Sequence, residues 1–145
     1  MPPGVEIEAS RPPQDSELVA RWAVEAPDQL SALRADLGRT LRETGAPPSG
    51  GLTGVADQMV LVASELATNA ILHGLPPTIV QLMTTGEEFV LDVIDHAPSA
   101  APEVATDRAP GEGGLGLQIA KRMAMNVAWF SEGRAKHVWA RFPGP

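Results

Sequence analysis

The spacing of apolar residues divides the chain into helical and extended segments. Leucines recur every three or four positions from Leu30 to Leu41, which predicts an amphipathic helix that opens near Pro27 and ends at Gly45. A second apolar stripe predicts a longer helix over Val55–His73, closed by Gly74. These two helices account for most of the first half of the chain.

Shorter apolar runs between turn residues predict strands. The strands are expected at residues 18–24, 78–83, 89–94, 127–131 and 137–142, with a third helix from Leu115 to about Met125. The order β-α-α-β-β-loop-α-β-β places strands next to each other in sequence. It predicts an α+β two-layer sandwich, in which a mixed, mostly antiparallel sheet is covered on one face by helices.

The polar, proline-rich segments suggest the domain boundaries. Residues 1–16 contain four prolines and scattered acids and are predicted to be a flexible arm, which leaves residues 17–145 as one domain. Residues 49–54 are interpreted as a linker. Residues 96–113 lack apolar periodicity, and a loop of that length is typical of a lid, a binding loop or a disordered segment.

Composition narrows the possible partners. Of 145 residues, 43% are hydrophobic and only 4% are aromatic, so the core is expected to be aliphatic. The net charge is −7, and the longest basic cluster is the pair Lys121-Arg122, which argues against nucleic acid and against an anionic membrane surface. The chain has no cysteine, no apolar run of 18 residues and no signal-peptide pattern at its start. We therefore expect a cytoplasmic protein.

Glu65 and Asn69 are the first candidate site residues. They lie four positions apart on the second predicted helix, one above the other on one face, and His73 continues the row. A carboxylate can accept a proton, and an amide oxygen is a suitable ligand for Mg²⁺. A solvated glutamate and a helix-end asparagine would explain the pair equally well at this point.

Two further features lie later in the chain. Asp95 ends an apolar strand, where a carboxylate can accept a hydrogen bond from an adenine amino group, although acids often end strands for no such reason. The boundary between the loop and the third helix reads Gly113-Gly114-Leu115-Gly116-Leu117. Glycines allow a close approach of the backbone to an anion, and a helix N-terminus attracts phosphate. A flexible hinge would have the same composition.

Together these segments resemble the GHKL, or histidine kinase-like, ATPase superfamily. The run from Glu65 to His73 resembles its N box, Val93-Ile-Asp95 the start of its G1 box, and the run from Gly113 to Ile119 its G2 box. Ser64-Glu65-Leu66 and the ending Lys136-His-Val-Trp139 are similar to the anti-sigma-factor serine/threonine kinases. The resemblance spans residues 18 to 142 and implies a Bergerat-type fold that binds ATP and Mg²⁺.

The resemblance also implies roles for individual residues. Glu65 would be the general base, Asn69 the Mg²⁺ ligand and Asp95 the partner of the adenine amino group. His73 would support the site, and residues 97 to 112 would form the lid over ATP. The nucleotide-contacting segment would comprise Gly113, Gly114, Leu115, Gly116 and Leu117.

The chain departs from the family pattern at two places. After Asp95 the G1 box reads His96-Ala97-Pro98-Ser99, without either of its glycines, which implies weaker or altered nucleotide binding. The last box commonly has threonine where this chain has His137, so a hydroxyl group expected near the nucleotide is missing.

Two functions remain open from the sequence, and a third interpretation is an unrelated α+β domain whose glycines are accidental. In the first, the protein is an ATP-dependent kinase that phosphorylates serine or threonine on a STAS-type anti-anti-sigma partner and also sequesters a sigma factor. Arg34, Arg39 and Arg42 on the first helix would face such partners, unless they form an ordinary solvated face. In the second, nucleotide only sets the shape of a binding module that has little or no kinase activity. Relatives often form homodimers, which the resemblance extends to this chain.

Overall fold

A computed structural model describes residues 5–46, 54–97, 103–104 and 115–144. Within these ranges the chain forms three α-helices and eight strands. The helices are α1 (Leu30–Glu43), α2 (Val55–His73) and α3 (Leu115–Met123). The strands are β1 (Val5–Glu6), β2 (Glu8–Ala9), β3 (Glu17–Val24), β4 (Thr78–Thr84), β5 (Glu88–Asp95), β6 (Glu103–Val104), β7 (Asn126–Glu132) and β8 (Ala135–Pro143).

Six strands form the main sheet, in the order β2-β7-β8-β5-β4-β3. Every neighbouring pair is antiparallel except β2 and β7, which run parallel. Hairpin turns at Gly86 and Gly133 join β4 to β5 and β7 to β8, and both glycines have positive φ, a conformation that favours glycine. The predicted mixed, mostly antiparallel sheet is confirmed. The two-residue pair β1–β6 forms a separate ladder.

All three helices pack on one face of the main sheet, which confirms the predicted two-layer sandwich. α2 is central, because it contacts α1, α3 and the strands β4, β5 and β8. Its buried residues join an aliphatic core with the inward side chains of the sheet, such as Leu82, Leu91 and Val93. By length and composition alone α2 is apolar enough to cross a membrane, a test that core helices also pass. Here its apolar side chains lie between the sheet and the other helices.

Element boundaries follow the predictions closely. α2 has the predicted bounds, and a 3-10 turn over Pro27–Gln29 precedes α1. α3 ends at Met123 instead of Met125, because the amide of Met125 donates to the carbonyl of Arg141 in β8 and so leads the chain into the sheet. The indole of Trp22 in β3 donates to Asp36 in α1 (2.8 Å). This bond, helped by the neighbouring Arg39, lowers the pKa of the Asp36 carboxyl group.

Residues 5–9 lie in the segment predicted as a flexible arm, and they include two short strands. Ile7 is buried in the main core, and β2 adds to the edge of the sheet beside Ala128 and Trp129 of β7. The division of the chain into an arm and a domain at residue 16 stays a prediction. Ile7 is an isolated apolar residue in a polar segment, so no local pattern marks it as a core residue.

Residues 10–16, which we call the strap, connect the two edges of the sheet. β2 and β3 are the two edge strands of the main sheet. The start of the strap lies on the face opposite the helices, where the indole of Trp139 donates to the carbonyl of Ser10 (2.8 Å) and the Arg11 guanidinium lies 4.7 Å from the ring centre of Phe130. A turn follows, in which the Ser16 amide donates to the carbonyl of Pro13 (3.2 Å).

Candidate functional site

The predicted site residues of α2 form a row along one edge of the helix. We call Glu65, Asn69 and His73 the catalytic row. Glu65 and Asn69 are partly exposed and His73 is exposed, while Leu66 and Ala70 beside them are buried in the core. These polar groups therefore lie at the border of the buried face of α2. Among the described residues, no hydrogen bond or ion pair engages the Glu65 carboxylate. That group is therefore free to accept a proton.

Gly116 brings the start of α3 against Glu65. A Cβ atom placed on Gly116 would lie 2.9 Å from the Glu65 carbonyl oxygen and 3.2 Å from its Cβ. The two helices can approach this closely only because position 116 has no side chain. The first turn of α3, with its free N–H groups, is thereby held next to the turn of α2 that carries the predicted base.

Asp95 marks the other end of the row. Its carboxyl group is buried at the end of β5, and a Cβ atom on Gly74 would lie only 2.6 Å from its Cγ. Oδ1 accepts the amide of Ala97 (2.8 Å). His96 anchors the turn that follows α2, because its amide donates to the carbonyl of Leu75 (2.9 Å) and its ring contacts the carbonyl of Pro77 (2.9 Å). Glu65, Asn69 and Asp95 thus line one side of the molecule, from the start of α3 to the end of β5.

Lys136 is a residue of this site that the sequence reasoning missed. Its Nζ lies 3.7 Å from Asp95 Oδ2, and the two side chains are only 17% and 6% exposed. Asp95 and Lys136 face each other across β5 and β8. Strand alternation alone would not have found it, because its pairing with Asp95 depends on the register between β5 and β8.

His137 points to the opposite face, away from Asp95. Its Nδ1 lies 2.8 Å from Asp92 Oδ2, its ring stacks on Phe130 (4.2 Å between centres), and Gln81 Nε2 also donates to Asp92 (3.2 Å). By the resemblance, a threonine hydroxyl group near the nucleotide is missing at position 137, and this stays a prediction. In the structure the side chain next to Asp95 belongs to position 136, and His137 belongs to a polar cluster with Asp92 and Gln81.

The glycine-rich segment is described only in part. Gly113, Gly114 and most of the predicted lid, residues 97 to 112, lie outside the described residues, apart from Ala97 and the β6 pair. Leu115 begins α3, and the side chain of Leu117 is buried in the main core. Contacts of Leu117 with a ligand would therefore involve its backbone. The roles assigned to the site residues stay predictions.

The first predicted helix also contributes near the site. Arg34 of α1 donates to the hydroxyl group of Ser64 (3.1 Å), the residue before Glu65, while its side chain stays largely exposed. Arg39 pairs with Asp36 on the same helix. The exposed arginine face of α1 is thus adjacent to the helix that carries the catalytic row.

The fold and this row define an ATP-binding domain of the α+β sandwich type. The family model of the histidine kinase-like ATPase domain matches residues 23–142. The chain therefore belongs to the histidine kinase-like ATPase family, and the predicted superfamily is confirmed. A comparison with curated proteins found no significant match. Membership of this family implies that the domain binds ATP.

Proposed function

We propose that this protein is an ATP-dependent serine/threonine protein kinase and anti-sigma factor. Its substrate would be a STAS-type anti-anti-sigma protein, and its sequestered partner a sigma factor. The observation that carries the proposal is the contact of Gly116 with Glu65. Through this contact the start of α3, which would bind phosphate, lies against the backbone of Glu65, and no described group engages the Glu65 carboxylate. Phosphoryl transfer to a hydroxyl group requires both a site for the phosphate and a base.

Each part of the site has a task in that reaction. Asn69 would hold Mg²⁺ together with the phosphates of ATP. Mg²⁺ takes few protein ligands and keeps several waters, so one amide oxygen and the phosphates would be enough to hold it. Glu65 would orient the acceptor hydroxyl group and take its proton. The N-terminus of α3 would offset negative charge on the transferred phosphoryl group.

The partners follow from the resemblance to anti-sigma kinases and from the surface of α1. The protein is acidic overall, with a net charge of −7, yet Arg34, Arg39 and Arg42 are all exposed on this one helix. Arg39 pairs with Asp36, so Arg34 and Arg42 are the two that would favour an acidic partner surface on this face. We propose that both partners bind the face of α1 that carries these arginines. We also propose that the protein is a homodimer and acts in the cytoplasm.

The second candidate is an ATP-binding regulatory module without phosphoryl transfer. One observation favours it specifically. The carboxylate of Asp95 already accepts the Ala97 amide and lies beside Lys136. The adenine ring of ATP would therefore share a carboxylate that protein groups already engage. Alanine at 97, in place of the family's glycine, also reduces the freedom of this turn. In this case the binding of ATP would change only the affinity of the protein for its partner.

Transfer of labelled phosphate separates the two candidates. The protein is incubated with Mg²⁺, ATP labelled in its γ-phosphate and purified STAS proteins. For a kinase, we expect labelling of serine or threonine that falls by about 100-fold or more in Glu65→Gln, the contribution typical of a general base. ATP affinity should change little, because Gln keeps the shape of the side chain.

Glu87→Gln is the matched control, since Glu87 is an exposed glutamate in the β4–β5 turn. It should retain full transfer. ATP binding with no transfer to any STAS protein would favour the regulatory module. Failure of the wild-type protein to bind ATP at millimolar concentration would contradict both candidates.

A further inference from the structure

Lys136 and Asp95 form a pair of opposite charges at the predicted base-binding end of the site. From their geometry we infer that Lys136 is a specificity-determining residue, whose ammonium group donates a hydrogen bond to the ring nitrogen N1 of adenine. Asp95 accepts from the neighbouring 6-amino group. This inference rests on the ATP binding that the family implies, and it adds a second contact to the base.

The separation of the pair leaves room for a shared ligand. At 3.7 Å, Nζ and Oδ2 attract each other but are longer apart than a normal hydrogen bond. An ammonium group has three donors, so one can point to Asp95 while another meets a ligand atom. Oδ1 is already bonded to the Ala97 amide, which leaves Oδ2, on the Lys136 side, as the oxygen that can accept from a base.

The burial of the pair makes an additional contact effective. With side chains 17% and 6% exposed, both charges are largely removed from water, where hydrogen bonds to charged groups are strongest. β5 and β8 hold the two residues in fixed register, Asp95 opposite Lys136. A donor held beside an acceptor selects ligands that offer the complementary pair.

The Watson–Crick edge of adenine offers that pair, because its 6-amino donor is adjacent to the N1 acceptor. Guanine presents the reverse order, since O6 is an acceptor and N1 carries a hydrogen. A carboxylate alone can accept from the adenine amino group or from guanine N1–H and its 2-amino group. Lys136 beside Asp95 supplies the donor that adenine N1 can accept.

A merely structural role for Lys136 is the competing explanation. In that case its charge only balances the buried Asp95 carboxylate, and its loss would weaken all nucleotides equally. The two roles are separated by a nucleotide that lacks one atom. In 1-deaza-ATP, a C–H group replaces N1 and the 6-amino group is kept.

The experiment measures dissociation constants of ATP and 1-deaza-ATP, both with Mg²⁺, for the wild-type protein and for Lys136→Met. We expect the wild type to prefer ATP by about tenfold, as for a hydrogen bond with a charged donor. Lys136→Met should bind the two nucleotides with nearly equal affinity. Arg134→Met, which removes an exposed positive charge two residues away, should keep the wild-type preference.

Three results would overturn the inference. They are equal affinity of the wild type for both nucleotides, an undiminished preference in Lys136→Met, and an equal loss of preference in Arg134→Met. The wild-type comparison needs no variant, so it holds even if Lys136→Met does not fold. Absence of ATP binding by the wild type would remove the proposed function itself, whereas ATP binding without discrimination removes only the role of Lys136.

Discussion

Two glycines in helices illustrate how single residues position the site. Gly116 lies where α3 approaches the backbone of Glu65, and an added methyl group there meets main-chain atoms that cannot rotate away. Gly38 lies in the middle of α1, where the nearest atom to an added methyl group is the end of the flexible Arg42 side chain (3.4 Å). Both are helical, so the helix-propensity gain from alanine is shared and the difference between them is contact alone.

We predict opposite effects of alanine at these positions. Gly38→Ala should raise the free energy of unfolding by about 0.5–1 kcal/mol, the propensity difference between the two residues. Gly116→Ala should lower it by about 1–3 kcal/mol, as overpacking does, and should weaken ATP binding because α3 must move away from Glu65. Urea denaturation and nucleotide titration measure both. A stabilised Gly116→Ala that binds ATP normally would contradict the contact.

Predictions for single residues on a helix differ from those for residues on paired strands. The row on α2 was predictable, because a helix places Glu65, Asn69 and His73 on one face whatever surrounds it. The partner of Asp95 was not, since it depends on the register between β5 and β8, and a shift of one residue exchanges Lys136 for His137. Register is set by contacts between distant parts of the chain.

The strap and β2 are the elements that the sequence described least well. Helices carry their signals locally, so the bounds of α2 were predicted correctly. β2 instead pairs in parallel with a strand 120 positions later in the chain. The two residues of that pairing have no alternating pattern, and the neighbouring prolines suggested an arm.

We predict that the segment before β3 stabilises the folded domain. Ile7→Ala should lower the free energy of unfolding by about 2–5 kcal/mol, as for other buried isoleucines. Gln14→Ala, an exposed position in the strap, should change it by less than about 0.5 kcal/mol. Equal stability of the two variants in urea would mean that residues 5–16 are a flexible arm after all.

At the scale of the whole molecule, α2 links nucleotide binding to global stability. It is the central helix of the core and also bears Glu65 and Asn69, so a ligand on its edge is tied to the cooperative unfolding of the domain. A ligand that binds only the folded state stabilises it in proportion to the logarithm of its concentration. The binding of metal and nucleotide should therefore be detectable as a rise in melting temperature.

We predict that ATP with Mg²⁺ raises Tm, by a stabilisation of about 2.7 kcal/mol at 100 times Kd. Chelation of Mg²⁺ by EDTA should remove most of the increase, because the phosphates then lose their link to Asn69. In Asn69→Ala, the Tm measured with ATP should no longer depend on Mg²⁺. If that dependence persists, Asn69 is not the metal ligand.

The parallel pairing of β2 with β7 also has a consequence for biosynthesis. Glu8 leaves the ribosome long before its partner Ala128, and at about 5–20 residues per second the delay is about 6–24 seconds. During that interval Ile7 cannot enter a complete core. The strap also cannot cover the face of the sheet opposite the helices. The last hairpin to be translated therefore closes the fold at the first strands to be made, and a nascent chain stalled before β7 would expose Ile7 to chaperones and proteases.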